Sequence, residues 1–571
     1  MGWCAHVRLH GLPEHKDSPV KELNRMNGRP VLLAAAAAIG LIFVVFRWHA
    51  LTYNECIMVD ESTFLVDAIR ANSSGYVPWH DYDNITSGPL NVLPVALLLK
   101  LGFPANHQTV HLYATLVMAL AHVFLLIAVV RICGLWSGIA IGVGGALIFA
   151  LQQAPDFSHY SSGLVPFLLL AAGWVAGLRK SADGFVETTV QRLFFAFLFF
   201  ACAPLAKMQA GPPAVACCLT LAALFTLQQL HRRDFVRMVF GWGAILAGGL
   251  VPPLIVVASV WAAGDPAYFL ASIGALTSYA GAPPLVRTIK DVIFLVINAD
   301  SRFIFAPAIA VAFAVSALVY AFARGTRPER AKSVERTVLL LGMLLWVAAA
   351  LYAVALPDKM AGIYEVFLYA PVLFALGAFV AWFDTERLPS EFRAFLPIVI
   401  ACAFGAVAGV MVGAALKKNV TNVGQEPISS LPMDAENRTA SALKEMMASP
   451  EDKLWVWGWA PAVHVHSGLL PATRIPFMHV SFDAFSPIYR EAVLGDVRRE
   501  RPRFIVDAAQ SGFAMNTIGT WIGYYDPSRD LSAQGFYPEL VSMGYRLARE
   551  VPLADGSKAL IYERDSDPDG R

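Results

Sequence analysis

Long apolar runs separated by short polar segments recur through most of the chain. About eleven of them approach the ~20 residues that an α-helix needs to cross the hydrocarbon core of a bilayer. They cover residues 31–50, 108–130, 134–151, 162–178, 190–206, 210–228, 238–263, 303–322, 337–356, 363–382 and 394–416. The pattern predicts a polytopic α-helical membrane protein whose transmembrane part is 31–416, preceded by a cytoplasmic segment, 1–30.

The apolar segment 88–102 is shorter, and Pro89 and Pro94 interrupt it. If it does not span the membrane, most of the basic loops fall on one side, as cytoplasmic loops should. The basic residues that then share this side are Arg131, Arg179, Lys180, Arg192, Arg232, Arg233, Arg237, Arg324, Arg327, Arg330, Lys332, Arg336, Arg387 and Arg393. We therefore predict that 88–102 lies along the membrane surface.

The chain becomes polar after residue 416, which predicts a soluble domain over 417–571. Its predicted elements are strands at Lys453–Trp457 and 503–508, a helix at 486–499 between them, and a hairpin of 545–551 with Lys558–Arg564. These elements predict a small α/β domain. The topology places it on the outer face, together with the long first loop, 51–107.

Composition supports the membrane class, because only 15% of the residues are charged, against ~25% in soluble domains. The net charge of +1 is uninformative, and no polybasic tract suggests a nucleic-acid partner. The 7 cysteines are scattered and none follows Cys402, which supports neither a disulfide framework nor a zinc ribbon. His464 and His466 alternate as on a strand, but two histidines without a third ligand make a poor metal site.

The first outward loop is acidic. Asp60 and Glu61 open a segment, 62–71, that is predicted to form an amphipathic helix, and Asp81 and Asp83 follow. A carboxylate here can take a proton from an acceptor hydroxyl, bind sugar hydroxyls or help to hold a divalent cation. The same residues also fit a solvated loop without a catalytic role, and residue types alone leave both interpretations open.

Several motifs follow one another on the predicted outward side. They are the acidic pair at 60–61, a Gly-Pro-Leu helix start at 88–90, "PDFSHYSSGLVP" at 155–166, "APLAKMQAGPPAV" at 203–215 and "WVWGWAP…SGLLPATR" at 455–474. Their order resembles the GT-C membrane glycosyltransferases over nearly the whole chain. The subgroup that it resembles is the bacterial relatives of protein O-mannosyltransferases, including the transferases that add aminoarabinose or galacturonic acid to lipopolysaccharide.

The resemblance implies a polyprenyl-phosphate-sugar donor and an inverting transfer of a single sugar, without a covalent intermediate. By match to the motifs, Asp60 is the general base, Glu61 orients the base or the acceptor, and Lys207 meets the donor phosphate. A fixed cation there would stabilise the charge that develops on the leaving phosphate. A lysine at the outer end of an apolar helix can instead extend its ammonium group to the membrane interface.

Further contacts with the donor phosphate or sugar are predicted for His159, Tyr160, Asp81, Asp83, Lys359, Tyr364 and Arg287. Relatives carry Lys or His before the Pro-Leu step, where this chain has Ser87 and Gly88, so that Lys207 or Arg287 is expected to substitute. An acid follows the "HYSS" turn in relatives, but Gly163 stands here. The outward stretch 265–301 is a candidate flap over the prenyl chain.

Two other classes remain open: a lipid or glycan transporter, and a noncatalytic envelope scaffold. A transporter needs polar groups at mid-membrane, whereas the acids here collect in one loop. The expected location is a bacterial inner membrane, where the partners are membrane lipids, the donor and an acceptor. The acceptor can be lipid A, another part of lipopolysaccharide, a different envelope glycan or a protein. Its identity, that of the sugar, and the need for a divalent cation are left open.

Overall fold

The computed structural model describes two parts of the chain, a helical bundle and a C-terminal region built around a sheet. The described residues are 19–54, 59–83, 87–152, 159–180, 186–280, 330–355, 362–382, 390–417, 431–458, 460–478, 486–508, 535–553 and 558–565. The predicted span 303–322 and the hairpin turn 554–557 lie outside them.

The first part is helical apart from a short antiparallel pair, β1 (Arg179–Lys180) and β2 (Val186–Glu187). Its helices are α1 (Pro19–Phe46), α2 (Trp48–Thr52), α3 (Val59–Ser74), α4 (Pro89–Lys100), α5 (His107–Cys133), α6 (Leu135–Leu151), α7 (Leu164–Gly177), α8 (Val190–Ala206), α9 (Gly211–Arg232), α10 (Phe235–Ala263), α11 (Pro266–Ala280), α12 (Arg330–Ala355), α13 (Gly362–Trp382) and α14 (Ser390–Lys417). Of the described helices, 6 are long and apolar enough to cross a membrane, and further apolar helices are shorter. The predicted polytopic helical membrane protein is confirmed.

Successive long helices run in alternating directions between the two ends of the bundle. At one end, α5 begins at an N-cap, where the Asn106 side chain accepts from the Thr109 N–H at 3.1 Å. At 1.5 Å per residue α5 is ~40 Å long. At its far end the Arg131 guanidinium donates to the carbonyl oxygen of Leu178, at 2.7 Å, and Arg192 donates to the same oxygen at 3.1 Å. These arginines therefore lie at the end opposite the start of α5.

Helix α4 is too short to span. It begins after Gly88 with a proline in its first turn and has 12 residues, which makes it ~18 Å long against a hydrocarbon core of ~30 Å. It packs against α3 and α8. Its orientation to the membrane surface stays a prediction.

Helix α3 differs from the amphipathic helix that the sequence predicts. Most of its residues are buried, including Asp67 and Arg70. The reason is tertiary: α4 and α5 pack against one side, and the C-terminal region covers another, where Arg70 donates to the carbonyl oxygen of Pro471 at 3.1 Å. The buried polar residues of α3, Asp67 and Arg70 among them, are therefore enclosed between the two parts of the chain.

The C-terminal region contains a mixed sheet with helices around it. Its helices are α15 (Leu431–Met446), α16 (Ala462–Ser467), α17 (Ser486–Glu500) and α18 (Tyr537–Ser542), and its strands are β3 (Lys453–Trp457), β4 (Leu470–Pro471), β5 (Phe477–Met478), β6 (Phe504–Asp507), β7 (Tyr545–Pro552) and β8 (Lys558–Arg564). The strand order is β4-β3-β6-β8-β7, and β5 also pairs with β3. Pairing is parallel among β3 to β6 and antiparallel for β8 with β6 and β7. The predicted strands, helix and hairpin are confirmed.

The strand expected around His464 and His466 is wrong, because these residues lie on α16. The helix follows Pro461 and ends at Gly468, whose φ of 76° ends the helix in the left-handed region that glycine tolerates. His464 is buried, and its Nε2 donates to the carbonyl oxygen of Pro476 at 2.9 Å. His464 is therefore a core histidine of the C-terminal region.

Candidate active site

Three polar turns meet at the end of the bundle where α5 begins. Asp60 and Glu61 form the first turn of α3, Tyr160 and Ser162 precede α7, and Lys207 ends α8. The apolar runs bring these turns together because each helix that leaves this end is followed by one that returns to it. The structure thus gathers the acidic pair, the "HYSS" turn and the lysine turn into one cluster.

Ser162 bridges Asp60 and Lys207. Its backbone N–H donates to Asp60 Oδ2 at 3.3 Å, and its hydroxyl oxygen accepts from Lys207 Nζ. Lys207 is only 3% exposed. A lysine that extended to the membrane interface would carry its ammonium group on the outside, so the enclosed position argues against the interfacial interpretation, and phosphate binding stays a prediction.

The surroundings of Asp60 raise its pKa above the ordinary value of an aspartate. Burial disfavours the charged carboxylate and is the largest influence, and Glu61 adds to it, whereas Lys207 and the hydrogen bonds from Ser162 act in the opposite direction. A carboxylate with a raised pKa is a stronger proton acceptor than a solvated one. Asp60 is also half-buried rather than enclosed, so that an acceptor hydroxyl can approach it.

Glu61 is wholly buried and holds the neighbouring turns. Its Oε1 accepts from the Tyr160 N–H at 3.1 Å, and its Oε2 lies 3.1 Å from His111 Nε2. His111 Nδ1 lies 2.8 Å from the carbonyl oxygen of Ala50. Because that oxygen can only accept, Nδ1 carries a proton, and a second proton joins Nε2 to the carboxylate. Burial raises the pKa of Glu61, but His111, with smaller effects of other histidines, outweighs it and holds this pKa below the ordinary value.

Asn91 ties the start of α4 to the same turns. Its backbone oxygen accepts from the Tyr160 hydroxyl at 2.8 Å. Its side-chain Nδ2 donates to the carbonyl oxygens of Ala206, at 2.9 Å, and Ser162, at 3.3 Å. The proton of the Tyr160 hydroxyl is therefore engaged by Asn91, so the predicted sugar contact of this hydroxyl would use it as an acceptor.

Gly88 lies against the backbone at the end of α8. Its N–H donates to the carbonyl oxygen of Ala206 at 2.7 Å, and a Cβ at this position would lie 1.9 Å from the carbonyl oxygen of Leu205. No larger residue fits without moving α8. This contact explains why the chain carries neither lysine nor histidine before the Pro-Leu step.

Replacing Gly88 with alanine is expected to destabilise the protein by about 1–3 kcal/mol, as overpacking against backbone does. The measurement is thermal unfolding of the purified protein in detergent. Gly243→Ala is the matched control, because Gly243 lies inside α10, a Cβ there meets nothing within 4 Å, and alanine favours a helix interior more than glycine does. Equal unfolding temperatures for Gly88→Ala and wild type would contradict the close approach.

An apolar cavity of about 210 Å³ opens beside Gly88 and the end of α8. Ser87, Gly88, Pro204, Leu205 and Met208 line it on the side of the lysine turn. The opposite walls are Trp79 of the first loop, Pro253, Val256 and Val257 of α10, and Phe269 and Ile273 of α11. The cavity therefore adjoins the turn that carries Lys207, and its other walls are apolar side chains.

The other predicted site residues lie beside the cluster, in the first loop, or outside the described residues. The ring of His159 lies 5.8 Å from that of His111, next to the cluster. Asp81 accepts from the Val77 N–H at 2.8 Å within its own loop, and Asp83 accepts from the Tyr268 hydroxyl of α11 at 2.7 Å. Lys359, Arg287, the side chain of Tyr364 and the flap beyond residue 280 lie outside what the structure describes.

Sequence reasoning missed His111, Ser162 and Asn91. His107 and His111 are four residues apart at the start of an apolar helix, which puts both on one helix face, and this spacing was an available signal. For Ser162 and Asn91 no comparable pattern exists. Among the residues with described positions, no group of three or more His, Cys, Asp and Glu is arranged to hold a metal ion.

The architecture is that of the GT-C membrane proteins, as the sequence predicts. The crystal structure of ArnT from Cupriavidus metallidurans bound to undecaprenyl phosphate is similar over 93% of this chain and 97% of that chain, with a TM-score of 0.50 and 13% identity. The Archaeoglobus fulgidus oligosaccharyltransferase tethered with an acceptor peptide aligns over 93% of this chain and 74% of its own, with a TM-score of 0.46 and 11% identity. No protein-family model and no curated protein sequence matches the chain.

Proposed function

We propose that this integral membrane protein transfers a single sugar from a polyprenyl-phosphate donor to an acceptor hydroxyl, with inversion at the anomeric carbon. One observation carries the proposal: a half-buried carboxylate of raised pKa, Asp60, and a buried lysine, Lys207, meet on either side of Ser162. A base and a fixed cation are the two groups that this reaction requires. The fold shared with ArnT, whose structure binds undecaprenyl phosphate, supports the donor class.

The reaction is a single displacement. The acceptor oxygen attacks the anomeric carbon while Asp60 takes the hydroxyl proton, and the bond from that carbon to the phosphate oxygen breaks with its electron pair on the phosphate. Lys207 stabilises the negative charge that develops there. No covalent sugar–enzyme bond forms, so the configuration inverts.

Glu61 has a positioning role in this mechanism and does not take part in the proton transfer. Both of its oxygens are engaged, by the Tyr160 N–H and by His111, and its side chain is fully buried. It therefore holds the "HYSS" turn in place, and this segment positions Ser162 next to Asp60 and Lys207. Of the two roles that the resemblance implies for Glu61, orienting the base fits these contacts and orienting the acceptor does not.

The first isoprene units of the donor's prenyl chain, next to the phosphate, lie in the apolar cavity. Met208, which lines it, is next to Lys207 in the chain, so that a phosphate on the lysine continues into hydrocarbon walls. The reacting end of the bundle lies opposite Arg131 and Arg192. By the positive-inside rule this end faces the periplasm of a bacterial inner membrane, with 1–30 in the cytoplasm and 417–571 forming a periplasmic domain.

Mass spectrometry of envelope lipids, glycans and glycoproteins from cells with and without the gene tests this function. Loss of one sugar from one acceptor, with accumulation of the polyprenyl-phosphate sugar, is the expected result. Loss of a whole glycan from the outer face would favour a transporter. An unchanged envelope would favour a scaffold.

The pH dependence of transfer reports on Asp60. The base must be deprotonated to act, so kcat/KM is expected to fall as the pH drops through the raised pKa of Asp60, above the ~3.9 of an ordinary aspartate. Glu61 does not add an acid limb in this range, because its pKa is lowered and it stays charged. An acid limb at or below the ordinary aspartate value would contradict Asp60 as the base.

A further inference from the structure

Arg474, in the segment after β4, makes several contacts between the two parts of the chain. It is 8% exposed. Its guanidinium donates twice to Asp496 of α17, at 3.1 Å from Nε and 3.1 Å from Nη2. Its Nη1 donates to Asp265, just before α11, at 3.0 Å. One side chain thus joins the C-terminal region to the end of the bundle that carries α11.

The same arginine reaches the first loop. Its Nη1 lies 3.5 Å from the carbonyl oxygen of Trp79, and its own carbonyl oxygen accepts from the Asp83 N–H at 2.7 Å. Its guanidinium carbon lies 5.1 Å from the centre of the Tyr268 ring on α11, and the Tyr268 hydroxyl donates to Asp83. The first loop, α11 and the C-terminal region are therefore joined through the contacts of Arg474, Tyr268 and Asp83.

Two residues held by these contacts form walls of the apolar cavity. Trp79 and Phe269 both line it, with ring centres 5.0 Å apart. Trp79 has a φ of 61°, a left-handed conformation that a bulky side chain adopts only when its surroundings hold it. Two contacts hold Trp79 in this conformation. Arg474 contacts its carbonyl oxygen, and its N–H donates to the carbonyl oxygen of Tyr82 at 2.8 Å.

We propose that Arg474 is a positioning residue for the donor, through which the C-terminal region forms part of the lipid-binding site. Arg474 holds the start of α11 through Asp265 and the first loop through Trp79, and so keeps the wall formed by Trp79 and Phe269 in place over the prenyl chain. This inference rests on the proposed function, because it takes the cavity as the donor's. It gives the C-terminal region a part in donor binding, apart from any part in choosing the acceptor.

The contact can be removed without isolating a buried charge. Asp496 keeps Arg499 at 2.7 Å, and Asp265 keeps His80 at 2.6 Å. Arg474→Gln and Asp265→Asn each remove the hydrogen bond from Arg474 to Asp265. Arg474→Gln leaves Asp496 with the Arg499 guanidinium and Asp265 with a hydrogen-bond partner in His80, and Asp265→Asn leaves Arg474 on Asp496. Asp265→Asn is the milder variant, because its side chain is 29% exposed.

The test measures binding of undecaprenyl phosphate to the purified full chain in nanodiscs. Loss of a charge-assisted hydrogen bond that preorganises the wall is expected to raise Kd about tenfold in Arg474→Gln and in Asp265→Asn. The double variant should be no weaker than the worse single variant, because both remove one contact. In transfer assays the donor KM should rise while the acceptor KM stays at the wild-type value, a pattern that general loss of structure would not produce.

Arg503→Gln is the matched control. Arg503 also bridges two carboxylates, Asp452 and Glu563, each at 2.9 Å, and lies 5.0 Å from an aromatic ring, that of Phe504, but within the C-terminal region. It should bind the lipid like wild type. Equal affinities for wild type, Arg474→Gln and Asp265→Asn would overturn the inference and leave the proposed function intact, as would an equal loss in Arg503→Gln. A wild-type chain that does not bind undecaprenyl phosphate would overturn the proposed function itself.

Discussion

Asp60→Asn is expected to lower the rate of sugar transfer by roughly 10²–10⁴-fold, the range for loss of a general base. The amide has nearly the shape of the carboxylate, and its oxygen can still accept from the Ser162 N–H, which is 3.3 Å from Asp60 Oδ2. The amide cannot, however, take the proton from the acceptor hydroxyl. Binding of undecaprenyl phosphate should therefore stay within a few-fold of wild type while turnover is lost.

The matched control for this variant is Asp67→Asn. Asp67 is also a buried aspartate of α3, two turns from Asp60 and outside the contacts with Ser162 and Lys207 described above. It should retain most of the transfer activity at equal expression. Single-turnover rates with the donor and acceptor identified by mass spectrometry separate the outcomes, and comparable losses in both variants would contradict a special role for Asp60.

Lys207→Met is expected to lower transfer by roughly 10²–10³-fold, the effect of removing one donor to a developing negative charge. Methionine fills the space of the lysine stem without its ammonium group. The variant also removes the positive charge that lowers the pKa of Asp60, so the acid limb of its residual activity should move to higher pH. Rates and pH profiles of the purified variant check both effects.

Lys100→Met is the control for a lysine at a helix end. Lys100 ends α4, is exposed and lies 5.1 Å from the Tyr76 ring. It represents a lysine at a helix end whose ammonium group is exposed, in contrast to the buried Lys207. If Lys207→Met kept wild-type transfer, or if the two variants lost activity alike, the phosphate-binding role would be refuted.

The sequence predicted the bundle well because membrane helices leave a strong local signal. Length and hydropathy are sufficient to find the apolar helices that the structure describes, and the distribution of basic loops, with two prolines and a short length, sets α4 apart. The strands Lys453–Trp457 and Lys558–Arg564 were predicted at their observed bounds, since buried β-rich runs bounded by turn residues are also local patterns.

The sequence did not predict the features that depend on packing between distant parts of the chain. The burial of α3 depends on coverage by the C-terminal region, about 400 residues away in the chain, as the contact of Arg70 with Pro471 illustrates. Two alternating histidines fit a strand or a short helix equally well by pattern, and Pro461 and Gly468 decided for the helix.

The candidate site was predicted in part for the same reason. Asp60 and Lys207 are charges beside apolar helices, and the resemblance of their motifs to those of the GT-C glycosyltransferases singled them out, whereas residue types alone left other interpretations open. The partners that set their properties are a serine hydroxyl and backbone groups, as at Ser162 and Asn91, or charges brought from elsewhere in the fold, as at Arg474. Such contacts exist only once helices from distant parts of the chain are packed.

The most direct test of the transferase account is mass spectrometry of the envelope of a deletion strain that carries wild type, Asp60→Asn or Asp67→Asn at equal expression. The account predicts that one acceptor lacks a single sugar in the deletion strain, regains it with wild type and with Asp67→Asn, and does not regain it with Asp60→Asn. Full restoration of that sugar by Asp60→Asn would contradict Asp60 as the base and with it the proposed reaction.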